Sequence, residues 1–148
     1  MELEAESIDA LLTRWPVARL VTLGAGGRPE PVPIVFARCG DALFTPIDGK
    51  PKRAGGAGVL ARERNVRADP RVAVLLDHYD PDWEKLWWVR IEGRAEGVPA
   101  EAWPAAAEAL RAKYPQYARV PLFSGEPRLL RISIERISSW RASERAAI

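Results

Sequence analysis

The chain has 148 residues, of which 47% are hydrophobic and 28% are charged, and its net charge is only +2. This composition is typical of a single globular domain spanning residues 1–148, and it excludes both a disordered chain and a nucleic-acid binder that acts through bulk positive charge. One Cys and one His exclude a disulfide framework within the chain and zinc sites that need several cysteines or two imidazoles.

No stretch of the sequence reaches the roughly 18 consecutive apolar residues of a membrane span. The first residues carry acidic side chains at Glu2, Glu4 and Glu6, which is the wrong charge for a signal peptide. We therefore expect a cytoplasmic protein that has no membrane partner.

The first predicted element is a helix that Pro16 ends, with Ser7 as its N-cap. Its apolar residues follow the spacing of one buried helical face: Ile8, Leu11, Leu12 and Trp15. A strand is predicted over residues 17–22, followed by a glycine-rich turn over residues 24–29.

A second strand is predicted over residues 30–37, where Pro31 and Pro33 remove two backbone donors and favour an edge or bulged strand. A short third strand follows over residues 42–45. Because very short turns join these strands, we expect them to pair as antiparallel neighbours.

A loop over residues 46–58 leads to a predicted helix over residues 59–68 and a strand over residues 71–77, whose apolar run predicts burial on both faces. The longest predicted strand covers residues 86–98 and places Trp87 and Trp88 on opposite faces. A helix over residues 99–113 precedes a last strand or strand pair over residues 129–134 and 137–140. Six antiparallel strands with inserted helices predict a mainly β fold, either a small barrel or a curled sheet.

The loop after the third strand carries three cations within four residues, Lys50, Lys52 and Arg53, close to Pro51. Lys and Arg donors on a restrained loop bind phosphate, and the neighbouring glycine-rich run before a helix fits the same interpretation. The alternative interpretation is a solvated basic turn, because short basic runs are common on protein surfaces.

Two further features have a structural interpretation beside a functional one. Trp83, Trp87 and Trp88 fall within six residues, which fits either burial or packing against a second subunit or a flat ring system. His78 with Asp77 and Asp80 resembles a metal triplet, but adjacent residues rarely converge on one ion, so no metal site is predicted.

Nucleophilic catalysis has little support, since no G-x-S-x-G motif occurs and Cys39 has no evident electropositive partner. We assign no catalytic side chain.

Several segments resemble a known group of proteins. Residues 18–36, with Arg19-Leu20-Val21 and Val32-Pro33-Ile34, are similar to the opening strands of the pyridoxamine 5′-phosphate oxidase-like flavoprotein superfamily. The K-P-K-R run at residues 50–53 and the D-H-Y-D-P-D-W and L-W-W-V-R runs at residues 77–83 and 86–90 resemble its probable deazaflavin (coenzyme F420)-dependent branch. The resemblance spans about residues 8–140.

The resemblance implies a six-stranded antiparallel split β-barrel of the FMN-binding type, forming a homodimer whose flavin or deazaflavin lies in a groove between subunits. It implies that the basic loop holds the phosphate or acidic tail of the cofactor, and that other residues border its ring or approach from the partner chain. The implied cofactor-binding residues are Lys50, Lys52, Arg53, Thr45, Pro46, Ile47, Pro33, Val35 and Trp88.

The leading functional hypothesis is a coenzyme F420-dependent oxidoreductase that transfers hydride from the deazaflavin to a small organic substrate. The second is an FMN-binding oxidoreductase on the same fold, because FMN offers a phosphate to the same loop. The third is a dimeric module that binds a flavin or deazaflavin without turnover.

Overall fold

The computed structural model describes residues 1–47, 60–123 and 125–148. Within them, three α-helices and seven strands follow one another along the chain. The elements in order are α1 (Ala5–Arg14), β1 (Ala18–Leu23), β2 (Pro29–Ile34), β3 (Ala37–Cys39), β4 (Ala42–Pro46), α2 (Ala61–Ala68), β5 (Arg71–His78), β6 (Trp87–Pro99), α3 (Pro104–Lys113) and β7 (Arg128–Arg141). The prediction of a mainly β chain with inserted helices is confirmed.

The seven strands form one antiparallel sheet in the order β2-β1-β5-β6-β7-β4-β3. The predicted six-stranded split β-barrel is therefore wrong in strand number, and the strands form one open sheet whose two edges are β2 and β3. The sheet nevertheless curls. Ile34 and Ala37 can lie at most about 11 Å apart along the chain, whereas the edges of a flat seven-stranded sheet would lie about 29 Å apart.

The region predicted as one strand over residues 30–37 is split between the two sheet edges. Most of this region forms β2, which pairs with β1, while its last residue, Ala37, begins β3, which pairs with β4, and β4 itself pairs with β7. The expected antiparallel pairing across short turns holds for β1 with β2 and for β3 with β4, but β2 and β4 are not neighbours in the sheet. Pro31 and Pro33 do lie in an edge strand, as their missing donors predicted.

The helices lie close to their predicted positions, with small differences at their ends. Leu11 and Leu12 of α1 are fully buried, but its N-cap is Glu4 and not Ser7, and no side chain caps it. The predicted helix over residues 99–113 begins with a short 3-10 turn, and α3 itself starts at Pro104. Among the described residues, no helix has the length and apolar character needed to cross a membrane.

Two apolar clusters stabilise the sheet. One fills its concave side with residues of α1, α2, β1, β5 and β6, and it includes the fully buried Trp87. The other packs α3 against β4 and the start of β7, around Phe44 and Leu110. Helix α3 is also tied to the β2–β3 connection, because the Tyr114 hydroxyl accepts a hydrogen bond of 3.0 Å from the Phe36 N–H.

The longest pairing, between β6 and β7, contains an irregularity between Glu92 and Gly93. A Cβ at Gly93 would lie 2.1 Å from the backbone oxygen of Ser133, so no other residue fits this close approach without moving β7. The strand β5 alternates between buried and half-buried residues, which corrects the predicted burial on both of its faces.

Candidate functional site

The convex face of the sheet is built by the outward residues of β1, β5 and β6. Strand alternation brings them into rows, and the row that contains Arg19, Leu75 and Arg90 follows directly from the registers of these strands. Trp88 lies two residues from Arg90 and points to the same side, while its neighbour Trp87 enters the core. The predicted division of the two tryptophans between opposite faces is confirmed.

A groove of about 510 Å³ lies on this face and is called the outer groove below. Its lining residues are Val21, Ala73, Val74, Leu75, Asp77, Trp88 and Arg90. Volumes of about 300–1,000 Å³ are usual for small-molecule sites, and an apolar lining with a few polar groups is their usual composition. The groove is therefore large enough to hold part of a ligand of cofactor size.

The apolar floor of the outer groove consists of side chains that no helix covers. Ala73, Leu75 and Trp88 are all half-buried and lie on the convex face. An indole on such a surface offers a broad flat area for stacking. This arrangement favours a flat, largely apolar ring system as the occupant.

Charged groups border the groove and differ in how they are paired. The Nη1 atom of Arg19 lies 2.8 Å from Oδ1 of Asp77, in a solvent-exposed ion pair. The guanidinium of Arg90 lies 5.5 Å from the centre of the Trp88 ring, within cation–π range. Arg90 forms no ion pair with any carboxylate of the described residues. Its charge is therefore available to an anionic group in the groove.

A smaller groove of about 340 Å³ continues the outer groove and shares Val21 and Ala73 with it. Its cations are already neutralised. Arg71 donates from Nη2 to Asp69 at 2.7 Å, and the side-chain and backbone hydrogen bonds from Arg71 lower the pKa of Asp69 to about 2. Arg94 approaches Glu135 at 3.5 Å. Arg90 therefore stands out among the cations of this face.

The residues predicted to bind a cofactor fall into separate groups in the structure. Pro33 is exposed on edge strand β2, opposite Arg19 and in the same row as Leu75 and Arg90. Val35 lies in the β2–β3 connection and packs against the α3 cluster. The structure thus places Pro33, but not Val35, on the face of the outer groove.

The end of β4 is distant from the outer groove along the sheet. Thr45 and Pro46 are buried and Ile47 is half-buried, and Pro46 pairs with Leu129 at the start of β7. Trp88 pairs with Trp140, close to the other end of β7. Within one chain, Trp88 and the Thr45–Pro46–Ile47 segment are therefore not brought together.

The basic loop residues Lys50, Lys52 and Arg53 lie outside the described residues, so their role stays a prediction. Among the residues that are described, no group of three or more His, Cys, Asp or Glu side chains could hold a metal ion. His78 contacts Asp80 at 3.5 Å and lies against the Trp15 and Trp87 rings. This placement agrees with the structural interpretation of that motif.

Reasoning from the sequence missed the residues that form the floor and charge of the outer groove, namely Ala73, Leu75 and Arg90. The continuous apolar run of β5 concealed its alternation, because the outward residues are as apolar as the inward ones. The strict alternation of charged residues along β6 could have pointed to Arg90.

Comparison with known proteins supplies the family. The family model described as pyridoxamine 5′-phosphate oxidase matches residues 5–141 of this chain. The chain belongs to the pyridoxamine 5′-phosphate oxidase family. A search of the curated proteins found no match for this family member.

Solved structures of several bacterial proteins share the fold. The conserved hypothetical protein Rv2991 of Mycobacterium tuberculosis is 22% identical, with a TM-score of 0.76 over 95% of this chain and 86% of that one. A FAD-binding protein, mll6688 of Mesorhizobium loti, is 23% identical, with a TM-score of 0.68 over 94% of this chain and 95% of that one. The heme storage protein HutZ of Vibrio cholerae is 16% identical, with a TM-score of 0.71 and 95% of both chains covered. At these identities the likeness establishes the fold alone.

Proposed function

We propose that this family member is an oxidoreductase that binds coenzyme F420 and passes hydride to a small organic substrate. The observation that carries the proposal is the outer groove, where an apolar floor and the indole of Trp88 lie beside Arg90, whose guanidinium has no carboxylate partner within the described ranges. Membership of a family described as an oxidase supports oxidoreductase chemistry. The choice of a deazaflavin rests on the sequence resemblance at residues 50–53 and 77–90.

The outer groove fits a flavin-type ring in shape and chemistry. Ala73 and Leu75 form the apolar floor of the groove, and Trp88 offers a ring face for stacking. Arg90 can donate charge-assisted hydrogen bonds to an anionic substituent of such a cofactor. In this proposal Lys50, Lys52 and Arg53 hold the phosphate or acidic tail, and they lie outside the described residues.

When bound, the deazaflavin supplies the hydride, so no nucleophilic side chain is needed. The protein binds and orients the ring through Leu75, Trp88 and Arg90, and it excludes water from the apolar side of the groove. Pro33 lies in the same row of side chains, beyond Arg19 at the sheet edge.

We propose a homodimer in which a second copy covers the convex face. Trp88 and the exposed Trp140 form a cross-strand pair on this face, and Ala73 and Leu75 extend its apolar area. Large aromatic anchors are typical of self-complementary interfaces. Since Trp88 and the Thr45–Pro46–Ile47 segment are separated within one chain, a second copy would allow both to contact one cofactor.

FMN or FAD is the second candidate cofactor. The FAD-binding neighbour from Mesorhizobium loti favours it, since that protein has the same fold. The heme storage neighbour favours a third candidate, a module that binds a planar cofactor without turnover.

A binding titration separates these candidates. Oxidised coenzyme F420 and FMN are titrated separately into the purified protein and followed by their absorbance and fluorescence. We expect tight binding of coenzyme F420 and at least tenfold weaker binding of FMN. Tighter FMN binding would contradict the deazaflavin assignment. In a separate assay with the reduced cofactor, binding without its oxidation by a panel of quinone and enone acceptors would support the binding module.

Site variants test the two proposed contacts between cationic side chains and anionic groups of the cofactor. We expect Arg90→Ala, and independently the double variant Lys50→Ala/Lys52→Ala, to weaken coenzyme F420 binding about tenfold or more, as loss of a charge-assisted hydrogen bond does. Arg136→Ala is the matched control, because Arg136 is exposed and faces Glu92 at 3.8 Å. Unchanged affinity of Arg90→Ala for coenzyme F420 would contradict the proposal that the outer groove binds the cofactor.

A further inference from the structure

A separate groove lies between α1, β3 and α3 and shares no residue with the outer groove. Its volume is about 470 Å³, and it is called the helix groove below. Its lining residues are Thr13, Arg14, Ala37, Arg38, Ala109, Ala112 and Lys113. The groove thus combines small apolar side chains with cations from all three elements.

The side-chain amine of Lys113, at the end of α3, lies in unusual surroundings for a charged group. Its Nζ atom is buried and has no hydrogen-bond partner among the described residues. It lies 3.6 Å from the centre of the Phe36 ring and 5.4 Å from that of Tyr114. Burial lowers the pKa of this amine to about 8. A buried ammonium supported only by ring faces lacks the hydrogen bonds that water would give it.

The other charges at the helix groove leave an excess of positive charge. Arg38 is satisfied, because it donates to Asp9 at 2.6 Å and to the Gly40 carbonyl oxygen at 3.0 Å. Arg14 is exposed in the last turn of α1 and forms no ion pair with any residue in the described ranges. Two cations, Arg14 and Lys113, therefore border one groove without a counter-ion in the described part of the chain.

The apolar part of the helix groove is lined by small side chains. Ala37, Ala109 and Ala112 contribute only methyl groups, so a short hydrocarbon chain fits beside them. The flexible four-carbon stem of lysine allows the ammonium of Lys113 to turn from the Phe36 ring toward the groove.

We propose that the helix groove binds a small aliphatic carboxylate. The acid group lies between Lys113 and Arg14 and supplies the missing counter-ion, while the hydrocarbon chain contacts the three alanines. This site is independent of the cofactor groove and uses none of its residues.

The test uses the intact protein without added cofactor. Acetate, butyrate and inorganic phosphate are titrated at constant ionic strength, and the backbone amide resonances of Ala37, Ala109 and Ala112 are followed by NMR. We expect saturable shifts with butyrate, weaker binding of acetate, which lacks the longer hydrocarbon chain, and weaker binding of phosphate. No saturable shift with butyrate, or tighter binding of phosphate, would overturn the assignment of a carboxylate.

Variants locate the contact. We expect Lys113→Met to weaken butyrate binding about tenfold or more, corresponding to one lost charge-assisted hydrogen bond. Lys113→Arg keeps the charge and should retain binding within a few-fold. Lys85→Met is the matched control, because Lys85 is an exposed lysine outside the groove. Unchanged butyrate affinity in folded Lys113→Met, judged by circular dichroism, would overturn the proposal.

Discussion

At the scale of single residues, Tyr114 joins three parts of the fold. Its hydroxyl accepts from the Phe36 N–H at 3.0 Å, and it lies 2.9 Å from the Pro16 carbonyl oxygen and 3.0 Å from that of Phe36. Burial raises the pKa of this phenol to about 12, so it stays a neutral donor over the working pH range. Helix periodicity could not predict these partners, because they come from distant parts of the chain.

We expect Tyr114→Phe to lower the free energy of unfolding by about 1–3 kcal/mol, because the buried Phe36 N–H loses its acceptor. Urea denaturation followed by circular dichroism measures the change. Tyr79→Phe is the control, since Tyr79 is 71% exposed, and its effect should stay within about 0.5 kcal/mol. A similar small effect in Tyr114→Phe would show that water replaces the lost contact.

Lys113 gives a pH-dependent prediction with a definite sign. Its folded-state pKa of about 8 lies below the ordinary value of 10.5, so the unfolded chain binds more protons between these values and stability rises with pH there. We expect Lys113→Met to be more stable than the parent chain below pH 8 and to lose this advantage as the pH rises toward 10.5.

The comparison isolates Lys113 from its surroundings. The other charged or titratable groups around it, Asp9, Arg14, Arg38 and Tyr114, are unchanged in the variant. The loss of stability expected above pH 10, where Tyr114 ionises in the unfolded chain but not yet in the folded one, therefore cancels in the difference. Urea midpoints at pH 7 and pH 10, with Lys85→Met as control, measure it. A difference that is constant across this range would contradict the prediction.

At the scale of elements, a buried ion pair attaches α2 to the sheet. Glu63 is 3% exposed and accepts from Nε and Nη2 of Arg128 on β7, at 2.9 and 2.7 Å. Arg67 approaches the same oxygen at 3.2 Å. The sequence predicts the helix, but its polar composition offered no indication that a carboxylate lies on its buried side.

We expect Glu63→Gln to lower the free energy of unfolding by about 3 kcal/mol, because Arg128 is left without its counter-ion in a partly buried place. Glu92→Gln is the matched control, as Glu92 is half-exposed and faces Arg136 at 3.8 Å. Exposed pairs of this kind contribute about 0–1 kcal/mol. Equal effects in the two variants, measured by thermal unfolding, would contradict a structural role for the Glu63 pair.

At the scale of the whole molecule, the convex face of the sheet is the proposed dimer surface. We expect the parent chain to sediment as a dimer and Leu75→Arg to shift it to a monomer, because a new charge would face the apolar floor of the outer groove. Val120→Arg is the control, since Val120 is 57% exposed outside this face. A parent chain that is monomeric at micromolar concentration in analytical ultracentrifugation would contradict the dimer.

The sequence by itself determined the features that depend on neighbouring residues. The buried face of α1, the edge position that Pro31 and Pro33 require, and the opposite directions of Trp87 and Trp88 all follow from helix or strand periodicity and from the missing proline donor. The family resemblance was also readable from local motifs, and the family model confirms it at the level of the family. The basic loop at residues 50–53 remains a prediction from sequence.

Only the tertiary structure decided what depends on pairing between distant segments. It placed β2 and β3 at opposite edges of the sheet, because β3 pairs with β4, whose other partner β7 lies far along the chain. It also placed Arg90 beside an uncovered apolar floor and Lys113 against the Phe36 ring. Such contacts are set by strand order and sheet curvature, which sequence periodicity does not encode.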